Sequence, residues 1–456
     1  MNNLIDESKY YKRKIDNDLE KWALNTAEKT IALIKGVRRV GKTHSLMFLG
    51  QKHFKQYKVI QVNDLTQKEV KFLMDKTDRV KNFYEFLLSK FNIDRSVVNR
   101  NFLVIFDEIQ EHSELKELIS FLNRELECRF ACTGSALWIY DTNGTKATGN
   151  YELFSIYPFS FVQFLDIVGE DLDLIKKEKT IFESEKDKTA NQELLKLFRT
   201  YVAIGGMPQV IKCYLEHKND DDLFYKLNCR KKTSIVSTYE QDLNRYQTKL
   251  DLDLFSEYKN IIRNIGLVKD INNLKNIYEK LEAMNVIVLC KNLNDINKKL
   301  SSSVDEYLVK PFLLDTGILF YYLCENDNEN LIISAYKDFI DGIDRDNNGY
   351  LYENYVASTL IQKGIPPFFK AFQAKDDNNE TKNYELDFVF GNVEGPVAIE
   401  AKSGTCKKHK SLEVGLKKFQ KLKQSYLLCD AYKFDKGRIQ RGTHYIPFYA
   451  LDFLIG

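Results

Sequence analysis

The sequence predicts an α/β protein whose N-terminal part is a three-layer structure, a parallel sheet between helices. Three observations carry this. The apolar run Ile31 to Ile34 stops at Gly36 and is followed by Gly41, Lys42 and Thr43, a strand, loop and helix in succession. A second apolar run, Phe102 to Phe106, ends in Asp107 and Glu108, as does a strand buried on both faces of a parallel sheet. Strand-like and helical patterns then alternate from residue 30 to about residue 160.

The loop Gly36-Val37-Arg38-Arg39-Val40-Gly41-Lys42-Thr43, followed by His44, has the spacing G-x-x-x-x-G-K-T. Gly36 and Gly41 let the backbone turn tightly and approach phosphates. Free N–H groups of the loop and first helical turn face an anion. Lys42 supplies a point charge for the β and γ oxygens, and Thr43 a hydroxyl for Mg²⁺. Asp107 and Glu108 end their strand at the edge where open α/β sheets place ligands. Asp107 is expected to hold the Mg²⁺ water shell and Glu108 to polarise the attacking water. ATP with Mg²⁺ is therefore the expected ligand.

Composition bounds the rest. A chain of 456 residues is too long for one core, so two to four domains are expected. The net charge of only +2 excludes a chain-wide basic coat, so any nucleic-acid surface is local. The seven prolines argue against long disordered linkers. The eight cysteines form no C-x-x-C pair and no zinc-like cluster with histidine, which reads as buried thiols in a reducing compartment. The start, Met1-Asn2-Asn3-Leu4-Ile5-Asp6-Glu7, has no signal-peptide pattern, and apolar runs are short. A cytoplasmic protein with no membrane contact is expected.

In chain order, residues 6 to 29 read as a helix, with Trp22 and Leu24 packing on the sheet edge and Tyr11 and Arg13 within reach of a nucleotide. Thr43 to Lys55 is the phosphate helix, Tyr57 to Val62 a second strand, and residues 65 to 96 mainly helical. Leu115, Leu118, Ile119 and Leu122 make a helical stripe. Arg129 to Ser135 is a strand ending in Thr-Gly-Ser, where Thr133 or Ser135 would lie beside the loop and sense the γ-phosphate. Phe154 to Leu165 reads as the last strand, a proline corner and a helix start, and the charged stretch 167 to 195 as an insertion or helix pair. Gly205-Gly206-Met207-Pro208 breaks two helical stretches. Either it is a helix–helix turn, or Pro208 packs on a base that the glycines allow to approach. Asn272 to Met284 carries Leu274, Ile277, Tyr278 and Leu281 on one stripe, and a strand from Asn285 follows. Helices before a β-hairpin suggest a winged helix, which either contacts DNA or packs on protein.

The last third changes character. Gly349 to Ile361 is an amphipathic helix carrying Glu353, followed by strands Glu385 to Phe390 and Pro396 to Lys402 joined as a hairpin. A pairing centred between Val393 and Glu394 sets Asp387 opposite Glu400, with Lys402 on the same face. Two like charges face to face are unfavourable without a cation, so Mg²⁺ or Mn²⁺ held by Asp387 and Glu400 is one reading, and a cross-strand polar pair the other. Lys407, Lys408, Lys410, Lys417, Lys418, Lys421 and Lys423 then form a local basic excess, suited to a phosphate backbone or to a solvated helix face.

Several motifs occur in one order: the loop 36–43, Phe-Asp107-Glu108-Ile-Gln110, Thr-Gly-Ser135, Tyr157-Pro-Phe-Ser-Phe161, Gly205-Gly-Met-Pro208, Asp315-Thr-Gly317, Gly349-Tyr-Leu-Tyr-Glu-Asn354, Glu385-Leu-Asp-Phe388 and Glu400-Ala-Lys402. This order resembles the AAA-type P-loop ATPases with a C-terminal DUF4143 domain, distant relatives of the STAND and archaeal ATPases. The resemblance implies a P-loop NTPase core (1–165), a helical lid (166–250), a winged helix (251–335) and a restriction-endonuclease-like, PD-(D/E)XK terminal domain (336–456). It implies Asp387, Glu400 and Lys402 as metal and catalytic positions with Glu353 on the first helix, Ser135 and Pro208 at the nucleotide, and DNA or a protein as partner. Where many relatives carry Gly-Arg before the last ATPase strand, Gly149 is followed by Asn150 and Tyr151, which puts an arginine contribution there in doubt.

Overall fold

The computed structural model describes residues 5–7, 10–25, 27–135, 150–171, 173, 190–264, 266–324, 328–343, 348–376, 378–403, 410–430 and 443–455. Gly149, Cys406, Lys407, Lys408 and most of the 167–195 stretch lie outside them. The chain forms two compact units, Met1–Tyr157 with Ala283–Asn285, and Pro158–Glu282 with Val286–Gly456.

The first unit runs α1 (Lys14–Leu24), β1 (Ile31–Lys35), α2 (Lys42–His53), β2 (Gln56–Gln61), α3 (Gln67–Met74), α4 (Arg79–Phe91), β3 (Phe102–Asp107), α5 (Leu115–Glu125), β4 (Arg129–Gly134) and β5 (Tyr151–Ser155). All five strands are parallel, in the order β2-β3-β4-β1-β5. β3 is buried along its whole length, as its unbroken apolar run requires. The stripe on α5 is buried in full and packs with Phe102, Val104 and Phe106 in one core. β4 therefore lies between the strand that leads into the loop and the strand that ends in the acids. Trp22 is buried, its indole N–H bonded to Thr30, but Leu24, the last residue of α1, is exposed and does not pack on the sheet. The 65–96 stretch divides at Asp78, whose side chain caps α4.

The second unit begins with helices α6 (Phe161–Val168), α7 (Gln192–Ile204), α8 (Pro208–His217), α9 (Asp221–Leu250) and α10 (Leu254–Arg263). There follow β6 (Lys269–Asp270), α11 (Lys275–Ala283), β7 (Ile287–Leu293), β8 (Val304–Leu313), α12 (Thr316–Cys324), α13 (Glu329–Ile340) and α14 (Asn348–Gln362). The chain ends with β9 (Phe368–Lys375), β10 (Thr381–Asn392), β11 (Gly395–Lys402), α15 (Lys410–Lys418), β12 (Gln424–Cys429), β13 (Thr443–Pro447) and α16 (Leu451–Leu454). One eight-stranded sheet has the order β13-β12-β11-β10-β9-β7-β8-β6. β7 and β8 form the expected antiparallel hairpin, but β7 also pairs in parallel with β9 through Lys291↔Phe368 and Asn292↔Phe369. The hairpin is thus built into the terminal sheet, with only the two-residue β6 beyond β8.

The Gly-Gly pair separates α7 from α8. Gly205 holds φ 81°, ψ −177°, a conformation open essentially to glycine alone. A Cβ there would lie 2.1 Å from Asp315 Oδ1. Gly206 N–H donates to Asp315 Oδ2 at 2.7 Å, and Ile318 N–H to Oδ1 at 3.0 Å. The two glycine motifs, 205–208 and 315–317, are therefore partners in one buried junction, and Asp315 is the group that approaches the glycine backbone. Among the described residues, Cys128, Cys132, Cys213, Cys290 and Cys324 are buried free thiols, whereas Cys429 is disulfide-bonded.

Candidate functional site

In the first unit the loop joins β1 to α2. Gly36, Val37 and Val40 are buried, Arg38 is half-buried and Arg39 exposed. A Cβ on Gly36 would meet the Ile156 carbonyl oxygen at 2.5 Å, and Gly41 caps α2 with φ 105°. Both positions need glycine, one for space and one for backbone sign. Lys42 is buried and its ammonium donates to the carbonyls of Gly36 at 3.1 Å and Val37 at 3.2 Å. It lies 3.8 Å from Glu108 Oε1. Thr43 Oγ1 donates to Asp107 Oδ1 at 2.6 Å, joining residues 64 apart in sequence.

β4 supplies the orienting groups. Thr133 Oγ1 donates to Asp107 Oδ1 and accepts from Glu108 N–H at 3.1 Å. Ser135 Oγ lies 3.4 Å from Glu108 Oε2 and accepts from Gln110 Nε2 at 3.3 Å, while Gln110 also donates to Glu108 Oε2. Thr133 thus fixes the two acids at their base and Ser135 at the tip of Glu108. Burial pushes the Glu108 carboxyl up, but Lys42, Gln110, Arg38 and Ser135 outweigh it and hold Glu108 below the ordinary carboxylate range. Glu108 is therefore ionised at neutral pH. Its backbone is left-handed, φ 59°, ψ 51°, which is costly for a residue with a long side chain.

The N-terminal segment reaches the same loop. Arg13 is buried, its Nη1 donates to the Tyr157 carbonyl at 2.8 Å, and a Cβ on Gly41 would lie 3.5 Å from its Nη2. Tyr10, not Tyr11, covers α2. It stacks on Phe48 at 3.8 Å and on His44 at 5.7 Å, and its hydroxyl donates to Asp16. Burial, then the Arg13 charge, lowers the His44 pKa. Pro208 sits in the second unit as the first residue of α8, a position that suits its fixed φ and missing N–H.

In the second unit the hairpin register agrees with the sequence. Pairs run from Asn392↔Gly395 to Phe388↔Ile399, the ladder ends there, and the Asp387 side chain next in line reaches β11 at Ala401, the neighbour of Glu400. Asp387 Oδ2 accepts from Ala401 N–H at 2.9 Å, and Lys402 Nζ lies 2.7 Å from Glu400 Oε1. Glu400 is only 3% exposed, and its Oε2 has no hydrogen-bond partner. Burial and then the Asp387 charge raise the Glu400 pKa, and burial raises that of Glu353. The orphaned, crowded oxygen fits a cation. No group of three or more His, Cys, Asp or Glu among the described residues is placed to hold a metal, so Asp387 and Glu400 offer two carboxylates and the other ligands would be backbone or solvent oxygen.

Three further groups surround these carboxylates, and of them Lys310 lies in no motif. Lys310, 3% exposed on β8, lies 2.5 Å from Glu385 Oε1 and 3.7 Å from Glu353 Oε2. Asn354 accepts from Leu313 N–H at 2.7 Å and donates to its carbonyl at 3.0 Å, which fixes the α14 residue next to Glu353 against the end of β8. Tyr352 donates to Asp430, which Arg199 also binds through Nε at 3.0 Å to both oxygens. Lys410, Lys417 and Lys418 lie on α15.

Residues 28–165 match the family described as AAA domain. This part of the chain is thus an AAA domain, a type that binds and hydrolyses ATP, typically with Mg²⁺. An uncharacterized protein of Methanocaldococcus jannaschii is 24% identical over 387 residues, 83% of this chain and 75% of its own. Among solved structures, one on katanin self-assembly aligns at 13% identity and TM-score 0.26, covering 42% of this chain and 62% of its own, so less than two thirds of that katanin chain is spanned. The Aeropyrum pernix ORC1 protein in complex with DNA aligns at 12% identity and TM-score 0.27, covering 71% of this chain and 91% of its own. No helix among the described residues is long and apolar enough to cross a membrane.

Proposed function

We propose that this chain hydrolyses ATP at the loop and that its terminal strands form a metal-dependent, nuclease-like centre that acts on DNA. The observation that carries the first half is the bond between Thr43 and Asp107 with Lys42 held 3.8 Å from Glu108. Binding, metal and water-orienting groups from two distant stretches meet at one point. Thr43 and Asp107 would hold Mg²⁺, which would supply charge neutralisation on the phosphates. Lys42 would exchange its two carbonyl partners for phosphate oxygens, and the loop N–H groups would bind the same anion. Glu108, ionised and fixed by Gln110 and Ser135, would orient the attacking water and accept its proton.

For the terminal centre, the support is the juxtaposition of Asp387, Glu400 and Lys402 on adjacent strands preceded by α14. Asp387 and Glu400 would hold Mg²⁺ or Mn²⁺, and Lys402 would assist the water or the leaving charge. DNA would lie on the lysines of α15 and on the winged-helix-like order α10, β6, α11, β7, β8. One observation favours a second reading. Lys402 is already paired with Glu400, and Asp387 with Ala401 N–H, so each of the three side chains is engaged within the protein, although Glu400 Oε2 keeps no hydrogen bond. On that reading the chain is an ATP-gated switch whose terminal domain binds DNA or a protein without cutting.

The ATP half is tested with Glu108→Gln, which should keep ATP affinity and lose steady-state hydrolysis. Equal loss of both would make Glu108 structural. The terminal half is tested by plasmid cutting with Mg²⁺ or Mn²⁺ in the wild type and in Lys402→Ala. Cutting lost in Lys402→Ala supports the nuclease reading, and metal binding without cutting in the wild type supports the switch.

A further inference from the structure

The terminal centre holds more charge than its motif accounts for. Glu353 from α14, Glu385 and Asp387 from β10, and Glu400 from β11 bring four carboxylates together, against the ammonium groups of Lys310 and Lys402. Lys402 belongs to the Asp387–Glu400 half. Lys310 belongs to the other half, bound to Glu385 and beside Glu353, with its stem buried in β8 and its ammonium 5.5 Å from the Phe369 ring. Glu353 Oε2 accepts no hydrogen bond, so the ammonium at 3.7 Å is its compensation by charge alone.

We propose that the Lys310 ammonium occupies the place of a second cation between Glu353 and Glu385, so that the terminal centre takes one divalent ion, at Asp387 and Glu400, rather than two. Paired carboxylates bridged by two metals are a common arrangement for phosphoryl chemistry. Here β8 delivers a fixed, covalently attached charge into one of the two positions. A buried ammonium among carboxylates is hard to displace, because removing it leaves unpaired buried charge. Lys310 is thus a positioning residue that sets metal number. The proposal rests in part on the metal reading of Asp387 and Glu400, and the two are separable by counting ions.

The experiment is a Mn²⁺ titration of the nucleotide-free full chain, read by calorimetry and by the electron paramagnetic resonance signal of free Mn²⁺, with Asp107→Asn present in every protein so that the loop adds no ion to the count. The wild type is expected to bind one ion, lost in Asp387→Asn. Lys310→Met is expected to bind two, and Lys310→Met with Glu385→Gln to return to one. Lys310→Gln, which keeps a hydrogen-bond donor for Glu385, should also bind two and serves where Lys310→Met does not fold. A count of one in both Lys310 variants overturns the proposal, as does a count of two in the wild type. No ion in the wild type but one in Lys310→Met would refute the Asp387–Glu400 site while leaving the role of Lys310 standing. No ion in any variant refutes both.

Discussion

The left-handed backbone at Glu108 can be tested for strain. Among the described residues the other non-glycine positions with positive φ are Arg39, Asn92, Asp251, Asn285 and Asn379. Asn and Asp tolerate that region through short polar side chains, whereas Glu and Arg do not. Of the two residues of the wrong type, Arg39 lies in the loop 36–43 and Glu108 beside it. Holding an L-residue left-handed costs roughly 1–2 kcal/mol. Glycine escapes that cost but gives back ~0.4–1 kcal/mol in unfolded-state entropy. Both Glu108→Ala and Glu108→Gly remove the carboxylate and its contacts with Lys42, Gln110 and Ser135, so their difference isolates the backbone. Glu108→Gly should therefore be the more stable of the two by about 0.5–1 kcal/mol. Urea unfolding of the nucleotide-free protein measures this as a shift in midpoint at constant slope. Both variants should lose ATP turnover. If Glu108→Ala is as stable as Glu108→Gly or more so, position 108 is not held under strain and the Glu108 carboxylate is not aimed by its backbone.

Three further outcomes are expected. Lys42→Ala should weaken ATP binding by roughly 1.5–3 kcal/mol, the worth of a charge-assisted contact, in a calorimetric titration; unchanged affinity would remove the phosphate-loop assignment. Gly205→Ala should lower stability by about 3 kcal/mol, since it adds about 1–3 kcal/mol of backbone strain and drives a Cβ to 2.1 Å from Asp315 Oδ1. A melting temperature equal to the wild type would show that the junction is slack. Lys232 is buried, donates to Ala203 O and Tyr336 OH, and burial pushes its pKa down to about 8. Between pH 8 and the ordinary lysine value the unfolded chain holds a proton that the folded chain has released, so folding gains stability as pH rises through that window. The stability of the wild type minus that of Lys232→Met should rise by about 3 kcal/mol across it, and a flat difference in denaturant midpoints would contradict a depressed lysine.

What could be read from the sequence was set by how local each signal is. The runs in β1 and β3 are unbroken because parallel strands are buried on both faces, so they stand out without knowledge of their neighbours. The α5 stripe follows from helical period alone, and the β10–β11 register follows from a short connection about Val393 and Glu394. β5 begins three residues before Phe154 because the polar Tyr151 and Glu152 complete a strand that pairs with β1, a partner over 100 residues away. β9 has a local antiparallel partner in β10, and its parallel pairing with β7 joins it to a strand over 70 residues away. At the nucleotide site the loop and the acids were legible from spacing. Thr133 was legible only as one of two alternatives with Ser135, and both side chains contact the acidic pair. Gln110 stood in the quoted motif without a role and Tyr10 in none, since their roles arise from side chains folded back onto Glu108 and α2. Lys310 reads as a chance charge in an apolar strand until the sheet brings it to Glu385.

β8 and the turn after it join three motifs that the sequence presents separately. Lys310 enters the carboxylate centre from the middle of β8. Leu313, three residues on, exchanges two hydrogen bonds with Asn354, and this sets Glu353 beside Lys310. Asp315, two residues further, accepts the N–H of Gly206 and needs glycine at 205. Six residues of chain therefore connect the α7–α8 junction to the terminal carboxylates. A buried hydrogen-bonded pair such as Leu313–Asn354 cannot lengthen gradually, because leaving either backbone group unpaired costs ~1–3 kcal/mol. The junction and the centre are thus tied by contacts that are either made or broken. Gly205-Gly206, Asp315 and Asn354 thus act together at the C-terminal end of the strand that delivers Lys310, and Glu353 faces that lysine across the centre.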